Sequence, residues 1–183
     1  MNNQASRVYS QAFFDLSKDT NNLDKHMEDL IEISQTLRDF PDINKLLNNP
    51  NVSKEDKKEM ISNIFKNIDN KTLNLIKVLI DKSRFVVFND LVRDYKNKYN
   101  NEKNIAEGIV YSANKLETQE LKNLARILEK RLNKKVELEN QIDESLIAGI
   151  SVFIDGRRID NSIKQRLDNL KSSIKERRWH GWN

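Results

Sequence analysis

The apolar residues of this chain keep two different periods, and the change from one to the other falls near residue 103. Before it they recur every three or four positions, the spacing of one face of a helix. After it, stretches appear in which apolar and polar residues alternate, the spacing of a half-buried strand. Glycine and proline, four and two in 183 residues, are too scarce to break the first half at more than a few places. The pattern predicts a helical domain followed by a smaller domain of mixed α and β structure.

The helical half divides into six segments. Ala5, Val8, Tyr9, Ala12, Phe13 and Leu16 form one apolar stripe. Leu23, Met27, Leu30, Ile31, Ser34 and Leu37 form a second, which ends near Phe40 because Pro41 disfavours helical geometry at the residue before it. Pro41 can open a short third helix through Leu46 and Leu47, closed by Asn48-Asn49-Pro50. Ser53 followed by Asp56 reads as the cap of a fourth helix, carrying Met60, Ile61, Ile64, Phe65 and Ile68 up to a break at Asp69-Asn70. Leu73, Leu75, Ile76, Val78, Leu79 and Ile80 then crowd a fifth helix almost all round. Such a helix is central in its bundle or offers a second face to a partner. A sixth runs from about Arg84 with Phe88, Leu91, Val92, Tyr95 and Tyr99 aligned.

Beyond the change of period, Ile105 to Ala113 reads as a strand and 118–132 as a helix with Leu121, Leu124, Ala125, Leu128 and Leu132 on one stripe. Lys135 to Glu139 alternates as a strand, and Ile150 to Ile154 is a third. Gly149, just before it, suits close backbone packing. Asp155-Gly156 suits a two-residue turn. A last helix follows through Ile163, Leu167, Leu170 and Ile174. The fold expected is a six-helix bundle over 1–103, then an α/β domain over 104–176. The tail 177–183 is basic, carries both tryptophans and has no assigned role.

Composition narrows the function. Without cysteine there is no disulfide, thiolate nucleophile or zinc-thiolate site. The two histidines, His26 inside a helical stripe and His180 in the tail, lack partners at metal-ligand or catalytic spacing. His26 is therefore read as an ordinary helix residue. Gly108, Gly149 and Gly156 match no phosphate-binding loop, so no cofactor is expected. The net charge of +4 is spread through interleaved acids and bases, not gathered on a stripe with aromatics, so nucleic acid is not an expected partner. A basic nucleic-acid-binding helical protein is the alternative that the pI and tail leave open. No apolar run approaches the ~20 residues that span a bilayer, and the first seven residues lack the apolar core of a signal peptide. The expectation is a protein with no direct membrane insertion, cytosolic or peripheral at the cytosolic face of a membrane.

Three motifs carry a family resemblance. Arg7-Val8-Tyr9-Ser10-Gln11-Ala12-Phe13-Phe14 resembles the opening of the delta subunit of bacterial F-type ATP synthases. This is also the family of the mitochondrial oligomycin-sensitivity-conferring subunit. Leu75 to Phe85 resembles its central stretch, with Ser83 where the family usually has glycine, and 142–170 resembles its C-terminal block. The resemblance implies a non-catalytic stator subunit joining the catalytic head to the peripheral stalk. It implies a groove for the N-terminal helices of alpha subunits, with Tyr9, Ala12, Phe13, Leu75, Val78 and Leu79 as candidates. It also implies contact with the C-terminal ends of b subunits through Leu146, Ile150, Val152, Ile154, Arg157, Arg158, Ile163 and Leu167. By periodicity the Tyr9/Phe13 stripe and the Leu75–Ile80 cluster read by default as core, although two adjacent helices with surplus apolar positions can also leave a groove for a third. The resemblance also implies a peripheral place on the cytoplasmic face of a bacterial plasma membrane.

Overall fold

The computed structural model describes residues 2–146, 149–154 and 156–160. It is mainly helical with one small four-stranded sheet. The chain divides into two compact units, Met1–Tyr99 and Asn100–Asn183. The last helix expected from sequence, with Ile163 and Leu167, lies outside the described residues, as does the tail.

The first unit holds α1 (Asn2–Asp19), α2 (Leu23–Asp39), α3 (Pro41–Asn48), α4 (Lys54–Ile64), α5 (Asn70–Asp81) and most of α6 (Phe88–Glu102). Local chemistry fixes most of the boundaries. Pro41 is the first residue of α3, where its missing N–H has no helical partner to lose. Ser53 caps α4 by accepting from the Asp56 backbone N–H at 3.0 Å, and Asp69 caps α5 by accepting from that of Lys71 at 2.8 Å. Helix α4 stops at Ile64, short of the expected Phe65 and Ile68. Phe65 leaves helical geometry as the C-cap, and both side chains still enter the core. A 3-10 turn, Phe85–Val87, stands where the sixth helix was expected to begin.

That turn follows a tight reversal. The Arg84 N–H reaches back to the Leu79 carbonyl and the Ser83 N–H to that of Ile80, closing the end of α5. Ser83 takes the left-handed conformation there, with φ 54°. Leu30, Ile33, Ile61, Ile76, Leu79, Leu91 and Tyr95 fill the centre of this unit without solvent exposure. Phe85 and Phe88 stack at 5.4 Å beside them, and the Phe14 ring meets Tyr95 edge-on at 5.8 Å.

Two helices are rotated from the faces read off the sequence. In α2, Ile33 is buried and Ile31 exposed, with His26 and Asp29 on the inner side. In α1, the inner face is Ser6, Ser10, Phe13, Phe14 and Ser17. Three serines can sit there because each hydroxyl has a partner. Ser6 donates to Asp94 on α6 at 2.8 Å, Ser10 to the Arg7 carbonyl at 3.0 Å, and Ser17 to the Phe13 carbonyl at 2.6 Å. Of the predicted stripe only Phe13 is fully buried. Val8 is 62% exposed and Leu16 40%.

The second unit holds β1 (Ile105–Ser112), α7 (Thr118–Leu132), β2 (Lys135–Ile142), β3 (Ile150–Ile154) and β4 (Arg157–Asp160), with strand order β2-β1-β3-β4. β1 and β2 are parallel, as a β-α-β crossover through α7 requires, and the other pairs are antiparallel. A capping box closes the start of α7, where the Glu117 N–H donates to Glu120 at 2.8 Å. Ala106, Val110, Val136, Val152 and Ile154 line one side of the sheet and pack with Leu128 of α7 into a core. Gly156 turns the β3–β4 hairpin at φ 72°. Gly108 answers a different need: a Cβ there would lie 3.0 Å from the Phe153 carbonyl oxygen. Gly149 has φ 89°, a conformation that glycine adopts readily.

Candidate functional site

Helices α1 and α5 leave an open groove of about 400 Å³ between them, lined by Tyr9, Ala12, Phe13, Leu16, Lys71, Asn74, Leu75 and Val78. It exists because the inner face of α1 is occupied by serines, which turns most of the apolar stripe toward solvent. Phe13 and Leu75, both buried, make the floor. Tyr9 is half-buried, whereas Ala12, Leu16 and Val78 stand exposed. Among the described residues no helix is long and apolar enough to cross a membrane.

Five of the six candidate groove residues come together here, and Leu79 does not. Consecutive residues of a helix are turned by about 100°, so the residue after Val78 points away from the groove. Leu79 is fully buried in the core instead. Leu16, Lys71 and Asn74 are lining residues that the candidate set lacked. Leu16 was already visible as the last member of the Tyr9 stripe. Lys71 and Asn74 are polar and gave no periodic signal.

Beneath the floor lies a polar cluster that the sequence reading missed. His26 has no solvent exposure and stacks on Phe13 with centroids 4.9 Å apart. Its Nδ1 is 2.7 Å from Ser17 Oγ and its Nε2 is 3.3 Å from Asp69 Oδ1. Asp29, also buried, accepts from the Asp69 backbone N–H and the Thr72 hydroxyl, each at 3.0 Å, and pairs with Lys25 at 2.8 Å. Burial pushes the His26 pKa down, against the pull of Asp69. The Lys71 backbone N–H holds the Asp69 carboxyl below the ordinary range. One network therefore joins the groove floor on α1 to the start of α5. The available signal was spacing: Leu23, His26, Leu30, Ile33 and Leu37 step by three and four, which places the imidazole on the inner face.

The candidates in the second unit separate by strand period. Val152 and Ile154 are buried on the α7 side of the sheet, and Leu146 is buried too. These three have almost no exposed surface in this structure, so of the candidates described here only Ile150, Arg157 and Arg158 are accessible. Ile150 is half-buried, and Arg157 and Arg158 are exposed. Arg158 Nε donates to Ser151 Oγ at 2.9 Å. Ile163 and Leu167 lie outside the described residues. The opposite side of the sheet carries Ile109, cross-paired with Phe153, which is 45% exposed. That pair was not among the candidates.

The described residues thus form a helical unit with an open apolar groove and, after it in the chain, a separate α/β unit. The sequence profile described as ATP synthase delta (OSCP) subunit matches residues 5–174. The chain belongs to that family, and it is a non-catalytic, stator-linking subunit of ATP synthase. It is 32% identical to the ATP synthase subunit delta of Clostridioides difficile, over 96% of this chain and 98% of that protein. It is 30% identical to that of Bacillus thuringiensis, over 97% and 99%. The fold matches a chain of the Toxoplasma gondii mitochondrial ATP synthase hexamer with a TM-score of 0.74, at 22% identity, over 92% of this chain and 96% of that one.

Proposed function

We propose that the α1–α5 groove receives the N-terminal helix of an alpha subunit, and that the second unit engages the C-terminal end of a peripheral-stalk b subunit. In this reading α1–α6 act as one six-helix bundle seated on the catalytic head. The chain then associates with the cytoplasmic face of the plasma membrane through the complex alone. The observation that carries the reading is the orientation of α1. Its inner face is made of serines while Ala12 and Leu16 lie open beside Val78. A helix laid in this groove would anchor residues at i, i+3, i+4 and i+7.

Fully burying a Val or Leu side chain contributes about 1.5–3 kcal/mol. Leu16 and Val78 are each a little under half exposed, so covering both contributes on the order of 2 kcal/mol, with Tyr9 and Ala12 adding to it. Ordering the partner consumes part of this gain. Two weak contacts at separate sites still hold firmly when both are made at once, because each raises the effective concentration of the other. Such a connector resists rotation of the head with no chemistry of its own.

The test is calorimetry with a synthetic alpha N-terminal peptide. Val78→Asp is expected to weaken binding at least tenfold with the helical spectrum unchanged, because the substitution puts a charge into an apolar contact. Equal affinity of variant and parent would remove the groove from the mechanism.

A further inference from the structure

A second cavity, of about 350 Å³, lies where the start of α4 meets the ends of α3 and α5. Its apolar walls are Leu47, Val52, Ile80 and Phe85, and two lysines, Lys54 and Lys57, also line it. Lys57 is unusual. It is only 8% exposed, yet its ammonium has a single partner among the described residues, the Asn49 carbonyl at 2.6 Å. Lys54 donates to the Asp81 carbonyl at 2.6 Å. Both bonds go to carbonyls at helix C-terminal ends, which are favourable places for a cation. They leave two N–H donors on each ammonium, and among the described residues no carboxylate lies within ion-pair distance of buried Lys57 or exposed Lys54.

The neighbouring lysine makes the contrast. Lys58 pairs directly with Asp81 at 2.8 Å, whereas Lys54 acts on that carboxyl only through space. Buried lysines are rare unless paired, because an uncompensated charge inside a protein is costly. A cavity of this size falls in the range of small-ligand sites, in which apolar walls and a few polar groups fix orientation.

We propose that this cavity binds a carboxylate carried on a short apolar stem, its oxygens on the Lys57 and Lys54 ammoniums and its stem against Leu47, Ile80 and Phe85. The site is independent of the α1–α5 groove. The carboxylate belongs to a small free acid or to an acidic side chain of a protein partner, and both present the same chemistry.

The experiment is a titration of the full chain, followed by amide NMR shifts, with butanoate and hexanoate as probes and butanamide as the neutral isostere. Saturable shifts centred on Leu47, Lys57, Ile80 and Phe85 are expected. Affinity should rise about three- to fourfold per added methylene until the cavity is filled. Lys57→Met should lose at least tenfold in affinity for hexanoate. Val52→Phe, which narrows the cavity and keeps both lysines, should weaken hexanoate more than butanoate. An equal response to butanamide, shifts that never saturate, or unchanged binding by folded Lys57→Met would overturn the proposal. An acetyl-Leu-Glu-Leu-amide peptide distinguishes the sources. Tighter binding than hexanoate assigns the carboxylate to a protein side chain, and weaker binding assigns it to a free acid.

Discussion

Ser83 sits where the chain reverses after α5 with φ 54°, a conformation that costs a side-chain-bearing residue about 1–2 kcal/mol and costs glycine almost nothing. Ser83→Gly is therefore expected to stabilise the first unit by about 1 kcal/mol and raise its melting temperature by several degrees. A thermal melt checks this, and no rise would mean that serine makes good the strain. His26 contributes to the loss of stability in acid. Its folded pKa lies below the ordinary value of about 6.5 because burial disfavours the imidazolium, so the unfolded chain takes up the proton first. Stability from the neutral ring is complete above about pH 6.5 and is lost as pH falls through the folded value. Asp69, also held below its ordinary range, adds a further loss below about pH 3.8. Asp69, Asp29 and Lys71 are the charges that act on the ring. Melts of wild type and His26→Gln between pH 7.5 and 5 should show a slope in the first and a flatter line in the second. Parallel slopes would exclude His26 as the titrating group.

Elements in which one chemical signal dominates were legible from the residues. The boundaries at Pro41, Ser53 and 118–132, and the alternation in β1, β2 and β3, were all readable, because each follows from local geometry or period. The faces of α1 and α2 were not. Periodicity reports which residues share a side, and it assumes that the apolar side is the inner one. In α1 three serines with satisfied hydroxyls reverse that assumption, and in α2 a histidine and an aspartate stand in the interior because a network receives them. The same fact explains the site. Tyr9, Ala12, Phe13, Leu75 and Val78 came as a set with Leu79 from the family resemblance, and only packing could decide that Leu79 belongs to the core and that Leu16 lines the groove. In the sheet, strand period alone separates Val152 and Ile154, on the covered side, from Phe153 on the other.

At the scale of the whole molecule, each unit closes its own core, one around α2, α5 and α6 and the other between the sheet and α7. A lesion in one core should therefore leave the other's binding intact. Gly108→Ala forces a Cβ to within 3.0 Å of a backbone oxygen on β3, an overpacking worth about 1–3 kcal/mol against the second unit. Denaturant titration should show that loss, while the affinity of the α1–α5 groove for an alpha peptide stays within twofold of wild type. A large fall in that affinity would mean that the two cores are energetically linked.

The outward stripe of α1 also bears on how the protein lives before assembly. Uncovered apolar surface attracts its like, so copies produced in excess of their complex should stick to one another or fall to proteases. Sedimentation of the purified chain should show self-association growing with concentration and vanishing once a blocking helix is supplied. A chain that stays monomeric throughout would mean that the stripe is tolerated by water as it stands.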